Sequence, residues 1–148
     1  MEILIIDNDP FFLNFMEIFL RKEGHKVSSA NDGLSALDIL KKNRPEFIFI
    51  DYVMPNIDGG TLCKILKMDR NIDDSFIVVL SAVAAEEWSE CRECGADAYI
   101  AKTPLDKMKR HISEVIEDRK SAKEFCSRGN VIDIAEIYPS GITKDLLT

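Results

Sequence analysis

Five short apolar runs alternate with longer amphipathic segments, and this alternation restricts the fold more than any other feature of the sequence. Continuous or alternating apolar residues predict a strand, whereas apolar residues spaced three and four apart predict a helix. The predicted strands are Glu2–Ile6, Lys26–Ser29, Phe47–Ile50, Phe76–Leu80 and Ala98–Ala101. The predicted helices are Pro10–Glu23, Gly33–Lys42, Gly60–Asp69 and Ala85–Cys94, with a long last helix from near Pro104 to about Cys126.

Predicted strands one, three and four are almost uninterrupted runs of aliphatic and aromatic residues. Strands of this kind are typical of parallel sheets, because helices cover both faces and leave neither face to solvent. The sequence therefore predicts an α/β fold, a doubly wound five-stranded parallel sheet with helices on both faces. We expect the domain to span residues 1–126, followed by a tail or linker at 127–148.

The charge of the chain disfavours several classes of partner. Its formal net charge is −7, from 26 acidic and 19 basic residues. Nucleic acids and anionic membrane surfaces bind clustered Lys and Arg, so we expect neither as a partner. The longest nearly apolar stretch, Phe11 to Leu20, is about half as long as a bilayer-spanning helix. We find no signal-peptide pattern and therefore expect a cytoplasmic protein.

The four cysteines do not form a recognisable metal-binding pattern. Cys91 and Cys94 make a CxxC pair, but a structural zinc site needs four ligands and no second CxxC or HxxxH supplies the others. The pair also lies within a predicted helix, not before its start, where the helix dipole would activate a thiolate. We expect buried or incidental cysteines, and we expect His25 and His111 at the surface because neither has a partner motif.

Polar residues follow four of the predicted strands and together have the chemistry of a phosphate-handling site. Ligands of an open parallel sheet bind at the carboxyl ends of its strands. Carboxylates suit a hard cation such as Mg²⁺, and ammonium and hydroxyl donors stabilise the charge of phosphoryl transfer. A carboxylate can also accept the phosphoryl group, which leaves the acceptor open among the aspartates. The residues are Asp7, Asn8 and Asp9 after strand one, Asp51 after strand three, Ser81 after strand four and Lys102 after strand five.

Simpler structural roles are open for the same residues. Asp7 and Asp9 would cap the first helix, since Asp is favoured at that position and Pro10 suits a first helical turn. The stretch "MPNIDGG" would be a tight turn in which Asp58 serves the backbone. Ser81 would be another helix cap and Lys102 a surface lysine. Residues of these types at four strand ends of one sheet edge favour the functional interpretation.

Four motifs in order, "ILIIDND", "FIFIDYVMPNIDG", "IVVLSA" and "GADAYIAK", resemble the receiver domains of bacterial two-component response regulators over about residues 2–120. The resemblance implies the flavodoxin-like strand order 2-1-3-4-5. It also implies that Asp51 accepts a phosphoryl group from a kinase histidine. Mg²⁺ would be the cofactor. Its ligands would be Asp7, Asn8, Asp51 and the backbone carbonyl of Val53.

The remaining roles implied by the resemblance concern the response to phosphorylation. Ser81 and Lys102 would contact the phosphoryl group, and Ser81 with Tyr99 would couple its presence to the surface around the last two helices. That surface would bind an output protein or domain, or a second receiver in a homodimer. The partner upstream would be a histidine kinase or phosphotransfer protein. Such a protein is a stoichiometric phosphoacceptor with slow self-dephosphorylation, not an enzyme of metabolism.

Two positions depart from the family pattern. Asn8 replaces the second acid of the usual pair, and we hypothesise weaker Mg²⁺ binding with phosphorylation retained. Thr103 stands where proline commonly follows the lysine. A cis bond before a residue other than proline costs about 2.5–4 kcal/mol, so we expect a trans bond and a helix-capping role for Thr103.

Two other functions and two contexts stay open from the sequence. "ILIIDNDP" also resembles the first motif of haloacid-dehalogenase-type phosphatases, with Asp7 as nucleophile and Asp9 as acid. Two observations disfavour that function. No acidic pair follows Lys102, and Asp51 would have no role. The second is a receiver-like binding module that acts without phosphorylation. The chain would be either a stand-alone receiver or one domain of a longer protein such as a hybrid kinase.

Overall fold

The computed structural model describes residues 1–82, 93–102 and 104–118. The predicted helix Ala85–Cys94 and the tail at 127–148 fall largely or wholly outside these ranges. The described strands are β1 (Glu2–Ile6), β2 (Lys26–Ala30), β3 (Phe47–Asp51), β4 (Phe76–Ser81) and β5 (Ala98–Ala101). The described helices are α1 (Pro10–Lys22), α2 (Gly33–Leu40), α3 (Gly59–Met68) and α4 (Leu105–Glu117), with a 3-10 turn at Arg70–Ile72.

The strands form one parallel sheet in the order β2-β1-β3-β4-β5, which confirms the predicted fold and strand order. The strands also end level with one another. Ile6 pairs with both Ala30 and Ile50, while Asp51 pairs with Leu80. Ser81 pairs with Ala101 at the end of the last ladder. The residues that follow the strands are therefore brought to one edge of the sheet.

Two hydrophobic clusters cover the two faces of the sheet, because side chains alternate between faces along each strand. Ile3, Ile5 and Phe49 pack with residues of α1 and α4 on one face. Leu4 and Ile50 pack with residues of α2 and α3 on the other face. This arrangement confirms the doubly wound architecture.

Aspartates begin three of the helices. Asp9 is the N-cap of α1, where its carboxylate accepts a hydrogen bond from the Phe11 amide at 3.0 Å. Asp32 and Asp58 cap α2 and α3, and Asp58 accepts from the Thr61 amide at 2.8 Å. An Asp at this position satisfies an amide that has no partner within the helix. The backbone role predicted for Asp58 is thus confirmed, and the structure shows that it is performed as a helix cap.

The C-terminal part of the domain differs from the prediction at two points. Helix α4 is described to Glu117, and its predicted extension to Cys126 lies outside the described residues. Pro104, not Thr103, is at the N-cap position of α4, because its extended ψ of 140° delays the helix by one residue. His111 is buried at 5% exposure, so its predicted surface position is wrong. No helix among the described residues has the length and apolarity needed to cross a bilayer.

Candidate functional site

Three of the strand-end residues converge on one point at the carboxyl edge of the sheet. The Lys102 ammonium lies 2.6 Å from Asp7 Oδ2 and 3.2 Å from Asp51 Oδ1. The residues follow or end β5, β1 and β3, respectively. The level ends of these parallel strands explain how residues so far apart in the sequence come together. The cluster that the sequence predicted at this edge therefore exists for Asp7, Asp51 and Lys102.

Asp7 is fully buried and held from several sides. Its amide donates to the Ala30 carbonyl at 3.1 Å, which continues the pairing of β1 with β2. Its Oδ1 atom accepts from the Asp9 amide at 2.9 Å, and its Oδ2 atom accepts from Lys102. A buried carboxylate is tolerated only when it is paired in this way. Asp7 is a member of the cluster, and Asp9 alone caps the helix.

Asp51 is buried beside Asp7, and the two carboxylates repel each other. Burial and the charge of Asp7 raise the pKa of Asp51, while Lys102 and a hydrogen bond from the Val53 amide act in the opposite direction. Two carboxylates facing one ammonium leave a net negative charge in the cluster. The site is therefore suited to a further cation.

The Lys102 ammonium has a third neighbour that the sequence did not predict. It lies 4.4 Å from the centroid of the Phe12 ring, within the range of a cation–π interaction. The backbone of Lys102 is fixed as well, because its amide donates to the Ser81 carbonyl at 2.7 Å. No local pattern in the sequence indicates the contact of Phe12 with Lys102.

Asp97 fixes the start of β5, the strand that leads to Lys102. Its amide donates to the Ile77 carbonyl at 2.8 Å, and its Oδ2 atom accepts from the Ile77 amide at 2.7 Å. The same oxygen pairs with the Lys67 ammonium at 2.7 Å. One side chain thus connects β4, α3 and the segment before β5, a role that no motif in the sequence predicts.

Ser81 and Tyr99 are both buried near the end of β4 and within β5. Ser81 is linked to Lys102 through the backbone bond described above. The Tyr99 ring belongs to the cluster on the α2 and α3 face, and its hydroxyl lies 3.7 Å from Cys94 Sγ. Tyr99 is therefore packed in the core on one side of the sheet, whereas Asp51 and Lys102 meet at its edge.

The two remaining predicted site residues lie at the surface. Asn8 is exposed next to the buried Asp7. The Val53 side chain is 60% exposed, while its backbone faces Asp51 through the amide hydrogen bond. Thr103, for which a trans bond was expected, lies outside the described residues.

The cysteines that the structure describes are buried, as predicted. Cys63 and Cys94 are free thiols, and Cys63 Sγ donates to the Cys94 carbonyl at 3.5 Å. Within the described ranges, no three residues among His, Cys, Asp and Glu form a group that could hold a metal ion. Cys91 and Cys126 lie outside these ranges.

The donor atoms of the cluster nevertheless suit a hard cation. Oxygens of Asp7 and Asp51 approach the same ammonium nitrogen, so both point to one position of positive charge. Mg²⁺ needs only one or two protein carboxylates, because waters and phosphate oxygens fill its remaining positions. The amide oxygen of Asn8 is a further donor of the same chemical type.

The sequence profile of the family described as "Response regulator receiver domain" matches residues 3–113. The chain belongs to this family. As a receiver domain of two-component signal transduction, it is related both to a DNA-binding regulator and to a sensor kinase. It is 32% identical over 105 residues to the DNA-binding dual master transcriptional regulator RpaA of a Synechocystis species, covering 70% of this chain and 43% of RpaA. It is 30% identical over 125 residues to the sensor histidine kinase RcsC of Escherichia coli, covering 84% of this chain and 13% of RcsC.

A solved receiver domain has the same architecture. The signal receiver domain of a signal transduction histidine kinase from Syntrophus aciditrophicus superimposes with a TM-score of 0.70 at 27% identity, covering 78% of this chain and 89% of that one. Membership of the receiver family does not favour the phosphatase alternative. The geometry agrees, because the Asp9 carboxylate, which a phosphatase would use as acid, is engaged as the cap of α1. Receiver domains are typically not catalytic enzymes.

Proposed function

We propose that Asp51 is the phosphoacceptor of this receiver and takes its phosphoryl group from a histidine of a kinase or phosphotransfer protein. The observation that carries the proposal is the Lys102 ammonium placed between Asp51 and Asp7 at the carboxyl edge of the sheet. It puts a nucleophilic carboxylate, a second carboxylate and a fixed positive charge at one point. Phosphoryl transfer depends on this combination of positioning and charge.

The transfer itself needs little chemistry from the protein. An oxygen of Asp51 forms a bond to phosphorus while the bond from phosphorus to the donor histidine nitrogen breaks, and the imidazole leaves with that electron pair. Lys102 and the Ser81 hydroxyl stabilise the phosphoryl oxygens. Asp7, Asn8, Asp51 and the Val53 carbonyl would hold Mg²⁺, which when bound neutralises negative charge on the phosphoryl group.

We further propose that phosphorylation of Asp51 changes which partners the protein surface binds. A phosphoryl group on Asp51 would attract the Ser81 hydroxyl, and movement of β4 would change the packing of Tyr99 in the adjacent strand. The affected surface, around α4 and residues 85–94, would bind an output protein or domain or a second receiver. Slow self-dephosphorylation would end the signal.

The position of this chain in a longer pathway is also a proposal. The match covers less than half of RpaA and a small part of RcsC, so their activities lie largely in other segments. A DNA-binding regulator and a sensor kinase both carry a matching receiver. We propose that this receiver belongs to a phosphorelay and is part of, or acts with, either a DNA-binding regulator or a sensor kinase.

Phosphorylation by acetyl phosphate with Mg²⁺ tests the proposal directly. Intact-mass measurement should show one added phosphoryl group on the unaltered chain and none on Asp51→Asn. The exposed Asp73→Asn is a matched control and should be labelled like the unaltered chain. Label lost in Asp7→Asn, but retained in Asp51→Asn, would instead support a phosphatase-like nucleophile. A chain that takes neither label nor beryllium fluoride would support the binding module.

A further inference from the structure

The Lys102 ammonium is held by an aromatic face as well as by two carboxylates. Its nitrogen lies 4.4 Å from the Phe12 ring centroid, and the Phe12 side chain is buried. The Lys102 side chain is only 20% exposed, so water screens the interaction weakly. A cation over a ring face is attracted to the negative charge of the π-system, and more strongly when it is shielded from solvent.

Phe12 is itself fixed relative to the cluster. Its helix is capped by Asp9, whose amide donates to Asp7 Oδ1 and whose carboxylate accepts from the Phe11 amide. Pro10 at the first helical position restricts the backbone further. The carboxylate that binds Lys102 therefore also anchors the helix that carries Phe12. The ring and the ammonium are positioned by the same residue.

The two carboxylates lie at unequal distances from the Lys102 ammonium, so a further contact is needed to keep it near Asp51. Asp7 Oδ2 is closer than Asp51 Oδ1, at 2.6 Å against 3.2 Å. The Lys side chain has four flexible bonds, so the two carboxylates alone do not fix its position. The Phe12 ring contacts the ammonium where it stands and favours this position over others in which the contact is lost.

We propose that Phe12 is a positioning residue for phosphorylation, whose ring face keeps the Lys102 ammonium where it contacts the phosphoryl group on Asp51. This inference rests on the proposed role of Asp51. It assigns to Phe12 a function beyond filling the core between α1 and the sheet. The relevant property is the charge distribution of the ring, and a side chain of similar volume without a π-face would not replace it.

The test compares Phe12→Leu with Phe12→Tyr. Leu keeps an apolar side chain without the ring, and Tyr keeps the ring. We expect Phe12→Leu to lower the rate of phosphorylation by acetyl phosphate about three- to tenfold and Phe12→Tyr to change it by less than about twofold. Urea unfolding of both variants reports stability separately from the rate. An unchanged rate in folded Phe12→Leu would overturn the inference.

A double-mutant cycle separates positioning from packing. In the Lys102→Ala background, Phe12→Leu should have no further effect on the rate, because the cation that it positions is absent. An equal loss in both backgrounds would show a structural role only and would overturn the inference. If unaltered chain is not labelled at Asp51 at all, the proposed function fails, which is a different outcome from labelling that does not depend on Phe12.

Fluorinated phenylalanines at position 12 keep the shape of the ring and weaken its negative face, so they change the charge distribution without removing the packing of the side chain. The phosphorylation rate should fall steadily with the number of fluorine atoms. A rate that is independent of fluorination would overturn the inference even if Phe12→Leu is slow.

Discussion

Gly59 begins α3 against the end of β3, and replacing it with alanine tests the geometry that holds Asp51. An added Cβ at Gly59 would lie 2.1 Å from the Asp51 carbonyl oxygen and 2.7 Å from Tyr52 Cα. Ordinary contacts of a Cβ fall at 3.4–4 Å. The Gly59 amide also donates to the Tyr52 carbonyl at 2.8 Å, so the two segments cannot separate without losing this bond.

The expected cost of Gly59→Ala is large because both obstructing atoms belong to the backbone. Overpacking costs about 1–3 kcal/mol when side chains can adjust, and here the chain itself must move by more than an ångström. We therefore expect the free energy of unfolding to fall by about 3 kcal/mol or more. The displaced atom is the carbonyl of Asp51, so phosphorylation of the folded fraction should also slow.

Gly60→Ala is the matched control. Its Cβ would lie 3.0 Å from Cε2 of the Tyr52 side chain and 3.2 Å from Asp58 Oδ1, and these side-chain atoms need to shift by only a few tenths of an ångström. Alanine also favours the helix by about 1 kcal/mol, so the net change should be within about 1 kcal/mol. Urea unfolding followed by circular dichroism measures both variants. A loss for Gly59→Ala no greater than that for Gly60→Ala would refute the close approach of α3 to β3.

Three further predictions concern charge. Asp51→Asn should raise the free energy of unfolding at about pH 7 by on the order of 1 kcal/mol, because it removes a buried carboxylate whose pKa is raised by burial and by Asp7. Unaltered protein should itself gain stability as the pH falls through that raised pKa, so the advantage of the variant should shrink in acid. Asn8→Asp should tighten Mg²⁺ binding about tenfold in a fluorescence or calorimetric titration, because it restores a carboxylate beside Asp7. Burial lowers the pKa of His111, so stability should be complete above about pH 6.5 and should fall as the pH drops through the lowered pKa, and His111→Gln should remove this loss.

For each of these three variants, one outcome of the same measurement would contradict the prediction. A less stable Asp51→Asn at neutral pH would mean that Lys102 outweighs the repulsion from Asp7. Mg²⁺ affinity unchanged in Asn8→Asp would contradict the hypothesis that Asn8 weakens the site. An acid-induced loss of stability of the same size in His111→Gln would place its origin elsewhere.

The sequence predicted the strands well because their nearly uninterrupted apolar residues are typical of strands in a parallel sheet. The bounds of β1 and β5 are as predicted, whereas β3 and β4 each include one further polar residue, Asp51 and Ser81. Backbone pairing continues through these residues, and side-chain polarity does not reveal it. The error at His111 was avoidable, because helical spacing places it on the face of α4 that also carries Met108 and Val115.

Within the site, the sequence predicted proximity but not contacts. Parallel strands bring their carboxyl ends together, so a shared edge for Asp7, Asp51 and Lys102 follows from the fold class. Individual hydrogen bonds decide that Asp7 joins the cluster and Asp9 caps α1, so the sequence left these two roles open. The contact of Phe12 with Lys102 depends on how α1 packs against the sheet, which no local pattern encodes.

The ion pair between Asp7 and Lys102 joins positions that are 95 residues apart. During synthesis, β1 and β3 leave the ribosome before β5, so the two repelling carboxylates are made before the cation that balances them. The edge strand β5 is thus the last described strand to be made and the one that completes the site. A nascent or truncated chain that ends before β5 would lack this ammonium, and competence to receive a signal would arise only when the domain is whole.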